Sequence, residues 1–152
     1  MQNLTKVPTG AIAYTEYDLP NGLHVILHED HKAPIVCLNI AYHVGSKNET
    51  RERAGFAHLF EHLLFEGSRN VKRGEFDTHI KQAGGYDNDY TTDDKTNYYE
   101  VLPAHPLGLG LWLDSDRLME FTLGYYSLRT QTDVVHGEKL ERYDNTPYVS
   151  LR

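Results

Sequence analysis

Cysteine is almost absent from this chain. Cys37 is the only one in 152 residues, so no intrachain disulfide staples the fold. Long apolar runs are missing as well. No stretch of about 18 apolar residues occurs, which leaves no candidate for a membrane-spanning helix. Met1-Gln2-Asn3-Leu4-Thr5-Lys6 lacks the apolar core of a secretion signal. The expected location is therefore the cytoplasm, or the periplasm if a leader precedes this sequence. Positive charge is in short supply too: 15 Lys and Arg stand against 22 Asp and Glu, a formal net charge of −7. Nucleic-acid-binding domains carry a basic patch, so no nucleic-acid partner is expected. There is no internal repeat and no low-complexity segment.

What is present is a globular composition, 39% hydrophobic and 24% charged, at a length suited to one domain of about 100–200 residues. Residues 14–19 and 23–28 are β-prone and flank Pro20-Asn21-Gly22, and Asn-Gly between such runs signals a hairpin. Residues 35–44 read as a third, largely buried strand, which makes Cys37 a buried, inert small hydrophobe. Residues 46–53 form a polar loop. Residues 54–65 are apolar on nearly every side, the pattern of a buried helix, with Gly67 as its stop. A short helix over 76–83 should end at Gly84-Gly85. Strands are expected over 86–92 and 97–102, both rich in Tyr and Thr, and helices over 106–119 and 130–143, the last broken by Asp144-Asn145-Thr146-Pro147. This order predicts an α+β fold, with helices packed on one face of a mostly antiparallel sheet.

The run His58-Leu59-Phe60-Glu61-His62 interrupts the apolar helix. Positions i, i+3 and i+4 share one helix face, so His58, Glu61 and His62 point the same way. Burying two imidazoles and a carboxylate without partners is costly. A Zn²⁺ ion would satisfy them, with the histidines as ligands and the carboxylate as a proton acceptor for an activated water. A hydrolytic zinc site needs a third protein ligand from another element. In the stretch 134–141, Glu138 lies on the face of Val134 and Val135, and Glu141 follows one turn on. Periodicity favours Glu138 over Glu141 only slightly. His136 falls on the opposite, solvated side. Gly137 inside the helix costs about 1 kcal/mol relative to Ala, which a close backbone approach by another element would explain.

Several blocks occur in an order that resembles the N-terminal part of the M16 (pitrilysin/insulinase, or inverzincin) zinc peptidases, of the bacterial processing-protease-like kind. They are Leu19-Pro20-Asn21-Gly22-Leu23, Tyr42-His43-Val44-Gly45-Ser46, the helix from Gly55 to His62, and Gly84-Gly85 before a strand. Thr96-Asn97-Tyr98-Tyr99-Glu100, the run from Leu111 to Arg117, and Val134-Val135-His136-Gly137-Glu138 follow. The resemblance implies a mitochondrial-processing-peptidase-like metallohydrolase fold and a zinc-dependent endopeptidase with one Zn²⁺ per chain. It implies His58, His62 and Glu138 as ligands and Glu61 as general base. It selects Glu138 over Glu141.

The strand after Gly-Gly would pair with an extended peptide substrate through Asn88 and Asp89. The family usually has a small residue where Asp89 stands. Gln131 takes the place of a second, supporting glutamate found in many members. A second homologous half or chain is the implied partner. Residues 1–152 are then expected to be a single domain, incomplete at its C-terminal end.

Two other readings compete. One is a non-catalytic subunit of the same family, though such subunits often lose the zinc motif, which is intact here. The other is a metalloenzyme resembling S-ribosylhomocysteine lyase. Its third ligand is a cysteine downstream of the motif, whereas Cys37 lies upstream.

Overall fold

The computed structural model describes residues 12–141. They divide after Pro34 into two units. The first is a hairpin of β1 (Thr15–Asp18) and β2 (His24–Leu27), paired antiparallel with Asp18 opposite His24. Its turn is longer than a two-residue loop. The Gly22 N–H donates to Leu19 O (2.9 Å) and the Leu19 N–H donates to Leu23 O (2.9 Å). Gly22 takes φ +87°, where a side chain is disfavoured, and Asn21 Oδ1 accepts the Leu23 N–H (3.1 Å). The Asn-Gly signal thus marks the turn, with the two residues contributing in different ways.

The second unit contains β3 (Ile35–Tyr42), α1 (Phe56–Leu63), α2 (Glu75–Gln82), β4 (Tyr86–Thr91), β5 (Thr96–Pro103), α3 (Leu107–Met119) and α4 (Tyr125–Lys139). Its sheet runs β3-β5-β4, antiparallel throughout, so β5 is central and the other two strands are edges. Thr96, Tyr98, Glu100 and Leu102 of β5 are all buried. Leu102 joins Val71, Phe76, Ile80 and Leu113 in a core that places α2 and α3 on this face, with Val36 and Leu109 packed against it. Gly85 admits close approach of the chain, since a Cβ there would stand 2.4 Å from Val101 O. Among the described residues no helix is long and apolar enough to cross a membrane.

Four sequence expectations need correction. β3 alternates between half-buried and exposed residues instead of being largely buried, and Cys37 is exposed. The cause is the period of two: Cys37 points to the face opposite Val36 and Leu38, away from the helices. Helix α1 is not buried all round. Phe56 and Phe60 are 48% and 42% exposed and line an apolar groove of about 630 Å³ with Phe121. The helix also ends at Leu63, ahead of Gly67, which instead bridges to Lys72. Helix α4 starts five residues earlier than expected, because Tyr125 and Tyr126 read as poor helix formers. Its expected end beyond residue 141, with the breaker at 144–147, lies outside the described residues. Finally, a Cβ at Gly137 would meet nothing within 4 Å, so no close approach explains that glycine.

One charged side chain sits at the centre of the core. Arg117 of α3 is 3% exposed. Its Nη2 donates to Glu100 Oε1 on β5 (2.7 Å) and to Asp114 Oδ1 one turn back (2.5 Å). The guanidinium lies 4.5 Å from the ring centre of Phe76, 4.9 Å from Tyr98 and 5.5 Å from Phe65. Burial pushes the Glu100 carboxyl up to about 8, with the Asp114 charge adding to the effect against the pull of Arg117. The Asp114 carboxyl is raised by burial as well. A proton held by Glu100 leaves one anion facing one cation, which is the neutral arrangement a dry core favours.

Two predictions follow from this packing. Native Glu100 keeps a proton that the unfolded chain releases near the ordinary value of 4.5, so stability is full below that pH and is lost as pH rises through about 8. Urea-unfolding midpoints should fall between about pH 6 and about pH 9, and Glu100→Gln, which mimics the protonated acid, should flatten that slope. Gly137→Ala should stabilise α4 by about 1 kcal/mol, read as a rise of roughly 3 °C in Tm.

Candidate metal centre

Helix α1 begins where the loop before it supplies an anion. Glu49 Oε2 accepts the Gly55 N–H (2.7 Å) and Oε1 accepts the Ala57 N–H (2.7 Å), so free donors at the helix start are satisfied. This fixes the helix phase. His58 and His62 face the same side, with Nε2 atoms 3.2 Å apart. Glu138 arrives from α4: its Oε2 is 3.6 Å from His58 Nε2 and its Oε1 is 3.5 Å from His62 Nε2. One ligand atom from each of the three residues lies within 4.8 Å of the other two.

Two imidazoles and a carboxylate are a zinc-type donor set. Ligands about 2.0–2.1 Å from a tetrahedral centre stand roughly 3.3–3.4 Å apart, close to the 3.2, 3.5 and 3.6 Å observed. Both histidine nitrogens and both carboxylate oxygens converge on one point, and at most one imidazole can donate to the other. The residues therefore fit a single zinc ion.

Glu61 is 5% exposed and lines the same cleft. Its Oε2 accepts a hydrogen bond from the Thr91 hydroxyl of β4. Burial raises its carboxyl, the Thr91 bond lowers it, the Asp89 charge raises it, His62 lowers it and Glu138 raises it. The cleft, about 900 Å³, is walled by α1, by β4 from Asn88 to Thr91, and by Val135 and Glu138 of α4. The outer edge of β4 has no strand partner among the described residues.

Asp89 and Asn88 part company. Asp89 is half-buried on the face of β4 turned toward α1; burial raises its carboxyl, while His62, Arg117 and His58 pull it down. Asn88 is exposed. Its Nδ2 donates to the Tyr99 hydroxyl (3.3 Å) on the other face, and its Oδ1 accepts the Asp89 N–H (3.0 Å).

Gln131 lies two turns before Glu138 on α4. Its Nε2 donates to Glu66 Oε1 (2.5 Å), which also takes Arg73 Nε at 3.1 Å. Gln131 thus ties α4 to the segment after α1, two turns from Glu138. Glu141 is exposed and is not among the converging residues, and His136 is exposed as expected. No cysteine joins the cluster, and Cys37 faces away from the helices. Sequence reasoning missed Glu49, Glu66 and Thr91, because no spacing rule links them to partners that lie 6, 65 and 30 residues away along the chain. Replacing Glu66 by Ala leaves the part-buried Gln131 amide without its acceptor and removes the ion pair to Arg73; it should lower stability by about 1–3 kcal/mol, measured by urea unfolding.

Comparison with known proteins gives the family of the chain. Residues 24–134 match the family model for insulinase (peptidase family M16). That span includes His58, Glu61 and His62 and stops just short of Glu138. The chain is 35% identical over 130 residues to the zinc protease PqqE of Helicobacter pylori, covering 85% of this chain and 29% of that protein. It is 30% identical over 123 residues to the mitochondrial-processing peptidase subunit beta of Blastocladiella emersonii, covering 81% and 26%. The crystal structure of a protease from Helicobacter pylori superposes with a TM-score of 0.88 at 32% identity, over 93% of this chain and 34% of that one. This chain spans about a third or less of the length of each of these relatives. The match to the family model, with antiparallel strands and helices arranged as in a solved relative, shows that the chain belongs to the M16 (insulinase) peptidase family.

Proposed function

We propose that this protein hydrolyses peptide bonds in extended peptides with the help of one zinc ion. The observation that carries this reading is the convergence of His58, His62 and Glu138 from two helices, with Glu61 beside them. When bound, zinc supplies a Lewis acid that polarises a carbonyl and makes a water acidic near neutral pH. The two imidazoles and Glu138 hold the ion. Glu61 is steadied through Oε2 by Thr91, which leaves Oε1 to take a proton from the attacking water and pass it to the leaving amine.

The free edge of β4 binds the substrate by adding it as a strand, so that backbone hydrogen bonds position it. Asn88 and Asp89 are the residues of that edge that would meet the substrate in this reading. Gln131 acts through its link to Glu66, holding α4 in register so that Glu138 stays over α1. The partner we propose is a second homologous half or chain that closes over the cleft. The name of one relative, a subunit of a processing peptidase, supports a paired arrangement. A non-catalytic role is disfavoured because all four reactive groups are present.

Glu61→Gln should lower kcat for a fluorogenic peptide by about 10²–10⁴-fold while zinc stoichiometry is unchanged. His58→Ala should lose stoichiometric zinc by metal analysis. Wild-type rates in Glu61→Gln would remove the proton-transfer role, and full zinc content in His58→Ala would remove the ligand assignment. Both are to be measured with and without a candidate partner chain.

A further inference from the structure

We propose that Asp89 makes this cleft select peptides carrying a lysine or arginine side chain next to the metal centre. The inference rests on the peptidase reading above and adds the substrate class. It comes from the acidic groups of the cleft and what each one holds. Glu49 uses both oxygens on backbone N–H groups at the start of α1. Asp93 accepts the Ser46 hydroxyl (2.6 Å). Glu61 accepts the Thr91 hydroxyl, and Glu138 meets the two histidines. The Asp89 carboxylate is the exception: its hydrogen bond is to its own backbone, and no ion pair reaches it among the described residues.

A divalent cation balanced by Glu138 and Glu61 leaves Asp89 as a net negative charge. The one Lys or Arg of the cleft lining is Lys139, the exposed last residue of α4. A half-buried carboxylate without a direct ion pair is unfavourable, and an incoming cation relieves it.

The register makes that cation a substrate side chain. Asp87, Asp89 and Thr91 are the half-buried residues of β4, on the side toward α1, while Tyr86, Asn88 and Tyr90 are exposed. The Asp89 N–H is engaged by the Asn88 side chain (3.0 Å), a local partner that an added strand would replace. A residue paired opposite Asp89 on the same face would have its Cβ about 4.5–5.5 Å away. From there a long basic side chain meets the carboxylate, and a short or acidic one does not.

The test uses the zinc-loaded protein and N-acetylated peptides, in which a single arginine is stepped through each position and compared with neutral citrulline. Acetylation removes the terminal amine as an alternative cation. Cleaved peptides are compared by kcat/KM and uncleaved ones by Kd from fluorescence anisotropy. At one position, arginine should be favoured over citrulline by about tenfold, and Asp89→Asn should bring that ratio close to one. A ratio near one in the wild type, a ratio that survives in Asp89→Asn, or no measurable binding of either peptide overturns the proposal. If binding shows the ratio but no peptide is cleaved, the selectivity stands and the hydrolytic reading falls.

Discussion

The need to pair a buried guanidinium organises this structure. Arg117 has left water almost completely, so it must find opposite charge and polarizable surface inside the core. Glu100 of β5 and Asp114 of α3 provide the first, and the rings of Phe65, Phe76 and Tyr98 provide the second. Those five residues come from β5, α3, α2 and the segment after α1. Each element is therefore held to the others through one side chain, in a core whose fully apolar members are few.

The metal centre depends on that arrangement at one remove. Phe65 follows α1 directly, so the contact with Arg117 sets where the helix ends, while Glu49 sets where it begins. Between these limits the helix turns Glu61 to Thr91 on β4 and both histidines to α4. The loop after it is pinned separately: Asp116 of α3 takes the Ser68 hydroxyl (2.6 Å) and the Asn70 N–H (2.9 Å). Helix α4 buries no residue of its own. Its position rests on contacts with α1, among them the Gln131 hydrogen bond to Glu66 and the approach of Glu138 to the histidines. A metal ion would add to the last of these, coupling ligand binding to the docking of α4.

Much of the fold was legible because it rests on local signals. Asn21-Gly22 marked its turn, Gly84-Gly85 marked the boundary between α2 and β4, and the Tyr- and Thr-rich runs became β4 and β5. Errors arose where burial depends on what lies opposite. Cys37 sits in an apolar run yet faces outward, because a strand turns alternate residues away from the helices. Phe56 and Phe60 sit on an apolar helix yet line an open groove. Arg117, at the C-terminal end of an amphipathic pattern, carried no mark of being the most tightly paired charge in the core.

The sequence by itself determined the donor atoms and their phase. The spacing of His58, Glu61 and His62 puts them on one side of any helix, since 3.6 residues make a turn. Only the tertiary structure decided what they meet. Glu138 and Glu141 lie on nearly one face of α4, and the sequence separates them weakly. Docking α4 on α1 brings Glu138 to within 3.6 Å of both imidazoles and leaves Glu141 outside the cluster. Likewise, Asp89 is one acid among 22 in the sequence. It becomes distinctive only once β4 turns it into the cleft and every other acid there is seen to hold a different residue, because pairing is a property of neighbours in space and not of neighbours in the chain.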